Sequence, residues 1–214
     1  MALVGENGSG KTTLVKLLCG LYKPDEGTVT VGGCDVETTD ERSLFSRTSA
    51  VFQFPNWYAF SLSENVSISD VDLGEDPLTA MRHADVDPID KDTFPKGVDT
   101  MLMRDFDGVE LSGGQWQRVG TARGLYRPYD FILLDEPTSS IDPLEETRIY
   151  NRFVELTESK TAIIVTHRLG SVRIADRIAV MDGGRIVEVG THDSLLANDG
   201  KYAEMWKTQA ENYK

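Results

Sequence analysis

The 214-residue chain is 40% hydrophobic and 27% charged, an ordinary composition for a globular protein able to bury a full core as one domain or one domain with a subdomain. Lys and Arg total 22 against 35 Asp and Glu, and the net charge of -13 disfavours non-specific binding to a phosphate backbone, so no nucleic-acid partner is expected. No apolar run nears the roughly 18 residues of a membrane span and no signal-peptide pattern appears, which leaves any membrane role to a partner or to a further part of the chain. Cys19 and Cys34 have neither a metal-ligand spacing nor a disulfide framework and read as thiols of a reducing compartment.

In chain order, Ala2-Leu3-Val4 reads as the end of a buried strand, and Gly5-Glu6-Asn7-Gly8-Ser9-Gly10-Lys11-Thr12 fits G-x-x-x-x-G-K-[ST]. Glycines in that pattern let backbone N–H groups converge on phosphate oxygens, the lysine neutralises β/γ charge and the hydroxyl reaches Mg²⁺. The stretch from Thr12 and Thr13 to Leu18 follows as a helix whose positive end points at the phosphates. Tyr22 to Gly27 is turn chemistry, Thr28 to Val31 alternates as a half-exposed strand, and Ser49 to Gln53 reads as a buried strand ending at Pro55. From Ser61 to about Tyr126 the pattern is mostly helical, with a polar, irregular middle from Asp85 to Asp107. Phe131 to Leu134 and Ala162 to Val165 are short apolar runs about thirty residues apart, the spacing of a βαβ unit in a parallel sheet. Asp176 to Met181 and Arg185 to Val189 flank Asp182-Gly183-Gly184 as a hairpin, and helices around Ser194 to Ala197 and Lys201 to Gln209 close the chain. The expected fold is α/β: a P-loop NTPase core with a mainly parallel sheet from residues 1–60 and 127–214, plus an inserted helical subdomain at 61–126.

Nucleotide sites in open α/β sheets lie beyond the carboxyl ends of strands, and each apolar run here ends in residues suited to phosphate chemistry. Phe131 to Leu134 delivers Asp135, placed to hold Mg²⁺ through water, and Glu136, placed to orient or deprotonate an attacking water. Ala162 to Val165 delivers Thr166 and His167; a histidine there can bond a γ-phosphate, although a histidine taken alone is more often structural. Ser49 to Phe52 delivers Gln53, an amide able to bridge Mg²⁺ and the water. Ser112-Gly113-Gly114-Gln115 reads as a capping box, which explains Ser112 and Gln115 but not two adjacent glycines in a first turn, where each weakens the helix. A closely approaching phosphate explains them better. Asp142-Pro143-Leu144-Glu145 is a good helix start by itself.

Taken together, Gly5–Thr12, Gln53, Leu111–Gln115, Asp135–Glu136, Asp142 and His167 resemble the nucleotide-binding domain of ATP-binding cassette transporters, in order and spacing essentially from Ala2 to the C-terminus. The resemblance implies that Gly5, Glu6, Asn7, Gly8, Ser9, Gly10, Lys11, Thr12 and Thr13 hold ATP, while Thr12, Gln53 and Asp135 serve Mg²⁺. It implies a catalytic set of Glu136 as base, His167 as switch histidine and Gln53. It also implies that Ser112, Gly113, Gly114 and Gln115 meet the ATP of the opposite subunit in a head-to-tail dimer of two nucleotide-binding domains, with Asp142 helping to couple the two sites. The tail Gly190-Thr191-His192-Asp193-Ser194-Leu195-Leu196, then Gly200-Lys201-Tyr202, is similar to exporter-type cassettes, which often follow a membrane domain in the same polypeptide. The expectation is therefore an ATPase at the cytoplasmic face of the cell membrane, attached through a transmembrane domain of an exporter outside this chain and coupling hydrolysis to transport. Phe54, Trp57, Tyr58 and Phe60 stand where family members meet the membrane domain, and partial exposure is expected of them.

Two departures from the family pattern stand out. The family normally carries two or so strands, with an aromatic residue that stacks on adenine, before the phosphate loop, so the chain is expected to be an N-terminally shortened piece with weaker base binding and an open sheet edge. Arg104-Asp105-Phe106-Asp107-Gly108 matches only loosely the exporter loop that precedes the family's signature motif, here Leu111–Gln115. Two other readings stay open: a soluble cassette ATPase acting on DNA or ribosomes, and a fragment that binds ATP or a partner without hydrolysis.

Overall fold

A computed structural model describes residues 1–137 and 143–212. β1 (Ala2–Gly5), buried along its length, passes through loop 6–10 into α1 (Lys11–Leu18). A two-residue hairpin of β2 (Thr30–Val31) and β3 (Cys34–Asp35) follows, then α2 (Glu41–Phe45) and β4 (Thr48–Val51). The next stretch holds α3 (Leu62–Ser67), α4 (Leu78–His83) and α5 (Gly113–Tyr126). Then come β5 (Phe131–Asp135), α6 (Pro143–Leu156), β6 (Thr161–Val165) and α7 (Leu169–Val172). The hairpin of β7 (Ile178–Asp182) and β8 (Arg185–Gly190) leads to α8 (His192–Ala197) and α9 (Lys201–Asn212).

Among the described residues the main sheet has six strands in the order β4-β5-β6-β1-β7-β8, parallel except for the β7–β8 pair. Because side chains alternate across a strand, Leu3, Leu133 and Val165 pack with Val15 of α1 on one face. Ala2, Val4, Val180, Ile132, Leu134 and Ile164 turn to the other, against Leu169, Leu195 and Tyr202 or against Tyr150 and Phe153. A separate cluster built from α3, α4 and α5, centred on Leu62, Val66, Met81, Trp116 and Val119, fills the interior of the stretch between β4 and β5.

α5 belongs to both bodies. A Cβ on Gly124 would lie 2.4 Å from a Val51 methyl, and the Ser49 hydroxyl donates to the Gly124 carbonyl at 2.6 Å, so the absent side chain is what lets this helix lie against β4.

Several elements differ from the sequence reading. The strand expected over Thr28 to Val31 shrinks to two residues, because Gly27 is in a left-handed turn with φ 83 and only a short hairpin partner follows. The strand expected to run to Gln53 leaves the ladder at Val51, which pairs with Leu134. The stretch 61–126 is less helical than its pattern implies. Its aspartates bond backbone amides two residues on, Asp76 to Leu78, Asp87 to Ile89 and Asp90 to Asp92, and these local turns compete with helix. α2 and α7, of five and four residues, are too short to show a helical period.

Candidate functional site

The loops leaving β1, β4, β5 and β6 converge at the carboxyl edge of the sheet, where the strand order reverses about β1. They enclose a cavity of about 860 Å³. Gly5, Glu6, Asn7, Gly8, Gly10, Lys11, Thr12 and Thr13 line it from the first loop and helix, Gln53 from the segment after β4, Asp135 and Glu136 from the end of β5, and His167 from the end of β6.

The first loop is built for a ligand it does not itself supply. α1 opens on Gly10, at φ 99, with no side chain capping its first amides, whereas α2, α3, α5 and α8 are each capped. Ser9 Oγ is buried with no hydrogen-bond partner. Lys11 Nζ turns inward and donates to the carbonyls of Gly5 at 2.8 Å and Glu6 at 2.9 Å. A Cβ on Gly5 would strike the Met181 carbonyl and Ser9 Oγ, so strand and loop meet more closely than any other residue permits. The Gly184 amide, in the β7–β8 turn, props the loop by donating to the Ser9 carbonyl at 3.0 Å. Free helix amides, an orphan hydroxyl and a cation together fit phosphate oxygens.

The acidic wall is equally unbalanced. Burial and the neighbouring Glu136 push the Asp135 carboxyl above its ordinary 3.8, against the pull of Lys11 and Lys16. Burial pulls the Lys11 ammonium down, opposed by Glu136 and Asp135. With the Thr12 hydroxyl and Gln53 amide, Asp135 offers the sparse oxygen set of a hard cation that keeps several waters. No cluster of three or more His, Cys, Asp or Glu able to hold a metal occurs among the described residues.

Glu136 is held through both its backbone and its carboxylate. Its φ is 47, an uncommon backbone state for a side chain of this size, and its amide donates to the Val165 carbonyl at 2.9 Å. Gln53 Nε2 donates to one carboxylate oxygen at 2.8 Å, and His167 Nδ1 lies 3.1 Å from the other. The Glu136 side chain is 15% exposed, sheltered but open to the cavity.

The signature-like residues stand elsewhere. Ser112 and Gln115 form a reciprocal capping box, Ser112 Oγ accepting from the Gln115 amide at 3.3 Å and Gln115 Oε1 from the Ser112 amide at 2.8 Å. None of Ser112–Gln115 lines the cavity, and a Cβ on Gly113 would meet nothing within 4 Å, so this helix start presents an open face. Asp142 lies outside the described residues.

Sequence reasoning missed two contributions. Gln117 Nε2 donates to the Glu136 carbonyl at 3.0 Å, tying α5 to the acidic wall. Glu204, Met205, Thr208 and Gln209 of α9 line the cavity too. Their spacing puts them on one helix face, yet nothing local says what that face meets.

A family model described as ABC transporter matches residues 1–139. The chain belongs to the ABC transporter family. Over 211 residues it is 41% identical to the mycobactin import ATP-binding/permease protein IrtB of Mycolicibacterium smegmatis, an alignment covering 98% of this chain and 36% of that protein. The subtilin transport ATP-binding protein SpaT of Bacillus subtilis is 38% identical over 218 residues, covering 100% of this chain and 35% of SpaT. Among solved structures, that of a bacterial Atm1-family ABC exporter with ATP bound matches with a TM-score of 0.87 at 33% identity, covering 98% of this chain and 36% of the other. The chain thus spans about a third of the length of these relatives. It is an ATP-binding ABC transporter domain with the mixed α/β fold of that exporter's ATPase. No helix among the described residues is long and apolar enough to cross a membrane.

Proposed function

We propose that this chain is the ATP-hydrolysing domain of a membrane transporter of exporter-type architecture and acts on Mg²⁺-bound ATP. The observation that carries the reading is the Glu136 carboxylate, held at the cavity wall between Gln53 Nε2 at 2.8 Å and His167 Nδ1 at 3.1 Å and facing the uncapped start of α1. A carboxylate fixed between a neutral amide and an imidazole is arranged to orient a water and take its proton. Lys11 and the amides from Gly5 to Thr13 would bind the phosphates, and His167 has a second ring nitrogen free of Glu136 to offer a phosphate oxygen. Thr12, Gln53 and Asp135 would hold Mg²⁺, whose positive charge neutralises charge on the phosphate oxygens.

The open face of Ser112, Gly113, Gly114 and Gln115, apart from the cavity of their own chain, supports a head-to-tail dimer in which these residues close on the other subunit's ATP and Asp142 couples the two sites. In that arrangement residues 61–126 would move against the core formed by 1–60 and 127–214. Phe54, Trp57 and Phe60 are 82%, 58% and 41% exposed, and Trp57 stacks on Trp116 of α5 at 5.6 Å. This aromatic patch joins the Gln53 segment to α5, which supports it as the contact with a transmembrane domain in the same polypeptide; the chain would then lie at the cytoplasmic face of the membrane. One relative is named for mycobactin import, so exporter-type refers here to the architecture and not to the direction of transport.

Mg²⁺-dependent ATP hydrolysis by the chain beside Glu136→Gln tests the reading. The substitution is expected to cut kcat by roughly 10²–10⁴-fold, the usual worth of a positioned proton acceptor, while leaving nucleotide binding in place. Hydrolysis that survives Glu136→Gln undiminished would falsify the assignment.

A further inference from the structure

α9 forms a wall of the cavity that no role described above uses. Its start is fixed by Glu188 of β8, whose two carboxylate oxygens accept from the amides of Lys201 at 2.7 Å and Tyr202 at 3.1 Å. From there Lys201 Nζ reaches the carboxylate of Glu6 in the phosphate loop at 2.7 Å. Two turns further on, one side-chain amide bonds one stretch of backbone twice. Gln209 Oε1 accepts from the Leu169 amide at 2.9 Å, and Gln209 Nε2 donates to the His167 carbonyl.

The two backbone groups flank Arg168 and lie beyond Val165, the last residue of β6, where the strand ladder has ended. α7 begins at Leu169 with no side-chain bond from its N-cap residue Arg168, so the Leu169 amide is a first-turn donor that its own helix leaves without a partner. Gln209 supplies that partner and binds the His167 carbonyl in the same gesture, much as an adjacent strand would. The His167 ring then reaches Glu136 Oε1 at 3.1 Å.

We propose that Gln209 is a positioning residue for His167, its amide fixing the backbone from which the imidazole meets Glu136 and, in the reading above, the phosphate. The inference rests on that reading for its catalytic consequence and on the hydrogen bonds alone for its geometry. Displacing a reacting group by about 1 Å costs on the order of 10²-fold in rate, so loosening this segment should be felt in kcat before it is felt in binding.

The test uses the whole chain, with hydrolysis followed alongside NMR of the His167 imidazole and hydrogen exchange of the Leu169 amide. His167 is one of three histidines, and its signal is assigned by its loss in His167→Ala. Gln209→Ala removes both bonds; kcat is expected to fall about tenfold or more with KM little changed, the His167 resonances to shift and the Leu169 amide to exchange faster. Gln209→Glu keeps an acceptor for the Leu169 amide but sets an oxygen against the His167 carbonyl. It should preserve the Leu169 protection while still shifting the imidazole and lowering kcat, and it decides the matter if the alanine variant does not fold. Unshifted imidazole resonances in the folded variants overturn the proposal, as does a raised KM with unchanged kcat, which would make Gln209 part of the binding wall. Should the unsubstituted chain hydrolyse no ATP, shifted resonances would uphold the positioning by Gln209 while removing the hydrolytic reading.

Discussion

Asp135 sits where its own charge is disfavoured. Its carboxyl is raised above 3.8 chiefly by burial and then by Glu136, so the folded chain binds this proton more readily than the unfolded chain does. Stability is therefore lost as pH rises from the ordinary carboxylate value through the raised one. Asp135→Asn, free of nucleotide and metal, is expected to unfold at a higher temperature than the unsubstituted chain at neutral pH, with the difference closing near pH 3.8 and below. Its Mg²⁺-dependent hydrolysis should be largely gone. A lower unfolding temperature for the variant would show that contacts to the ionised carboxylate outweigh its desolvation. The same residue shows why much of the site was legible in the sequence. Asp135, Glu136, Gln53 and His167 each follow an apolar run, and strands in parallel order bring such ends to one edge. Gln209 gave no such sign, because its contact with His167 joins residues 42 apart in the chain through the docking of a helix.

At the scale of elements, α5 carries four glycines with two kinds of work. Gly113 leaves its start open, with the half-buried Gly114 beside it, while Gly120 and Gly124 let its body approach Pro55 and Val51. Replacing Gly124 by alanine pits two effects against each other. Helix propensity gains about 1 kcal/mol, whereas the added methyl meets a buried Val51 methyl in a packed interior, an overpacking that costs roughly 1–3 kcal/mol. Val51 is buried, but β4 is the edge strand of the sheet and can yield in part, so a net loss of up to about 2 kcal/mol is expected in denaturant unfolding. Gly113→Ala, with nothing within 4 Å of the new methyl, should instead hold or gain stability. A gain at both positions would mean that α5 can shift off β4 at little cost. The apolar runs announced the strands of the parallel sheet and the glycine turn announced the β7–β8 hairpin, since these are local patterns. The packing glycines of α5 were invisible to the same reading, because a close approach depends on which element lies opposite. The helical content of 61–126 was overread for the complementary reason: local Asp turns overrode a weak helical period.

For the molecule as a whole, the net charge of -13 bears on assembly. Two copies brought face to face in the proposed dimer repel each other over their whole surfaces, and bound nucleotide adds further negative charge. The nucleotide sandwich itself is short-ranged, made of amides, a lysine and glycine-lined helix starts, and is only weakly screened by salt. The repulsion is long-ranged: the Debye length is about 30 Å at 0.01 M salt and about 8 Å at 0.15 M, against a chain radius of gyration near ~17 Å. Raising the salt through that range therefore removes most of the opposing term while leaving the contacts. The Glu136→Gln chain with Mg²⁺ and ATP, which should bind without turnover, is expected to dimerise more tightly at the higher salt in sedimentation equilibrium. Tighter association at the lower salt would mean instead that the joining faces carry complementary ion pairs strong enough to overcome the net charge, and would direct attention to the few basic residues near the cavity rim, Lys201 among them.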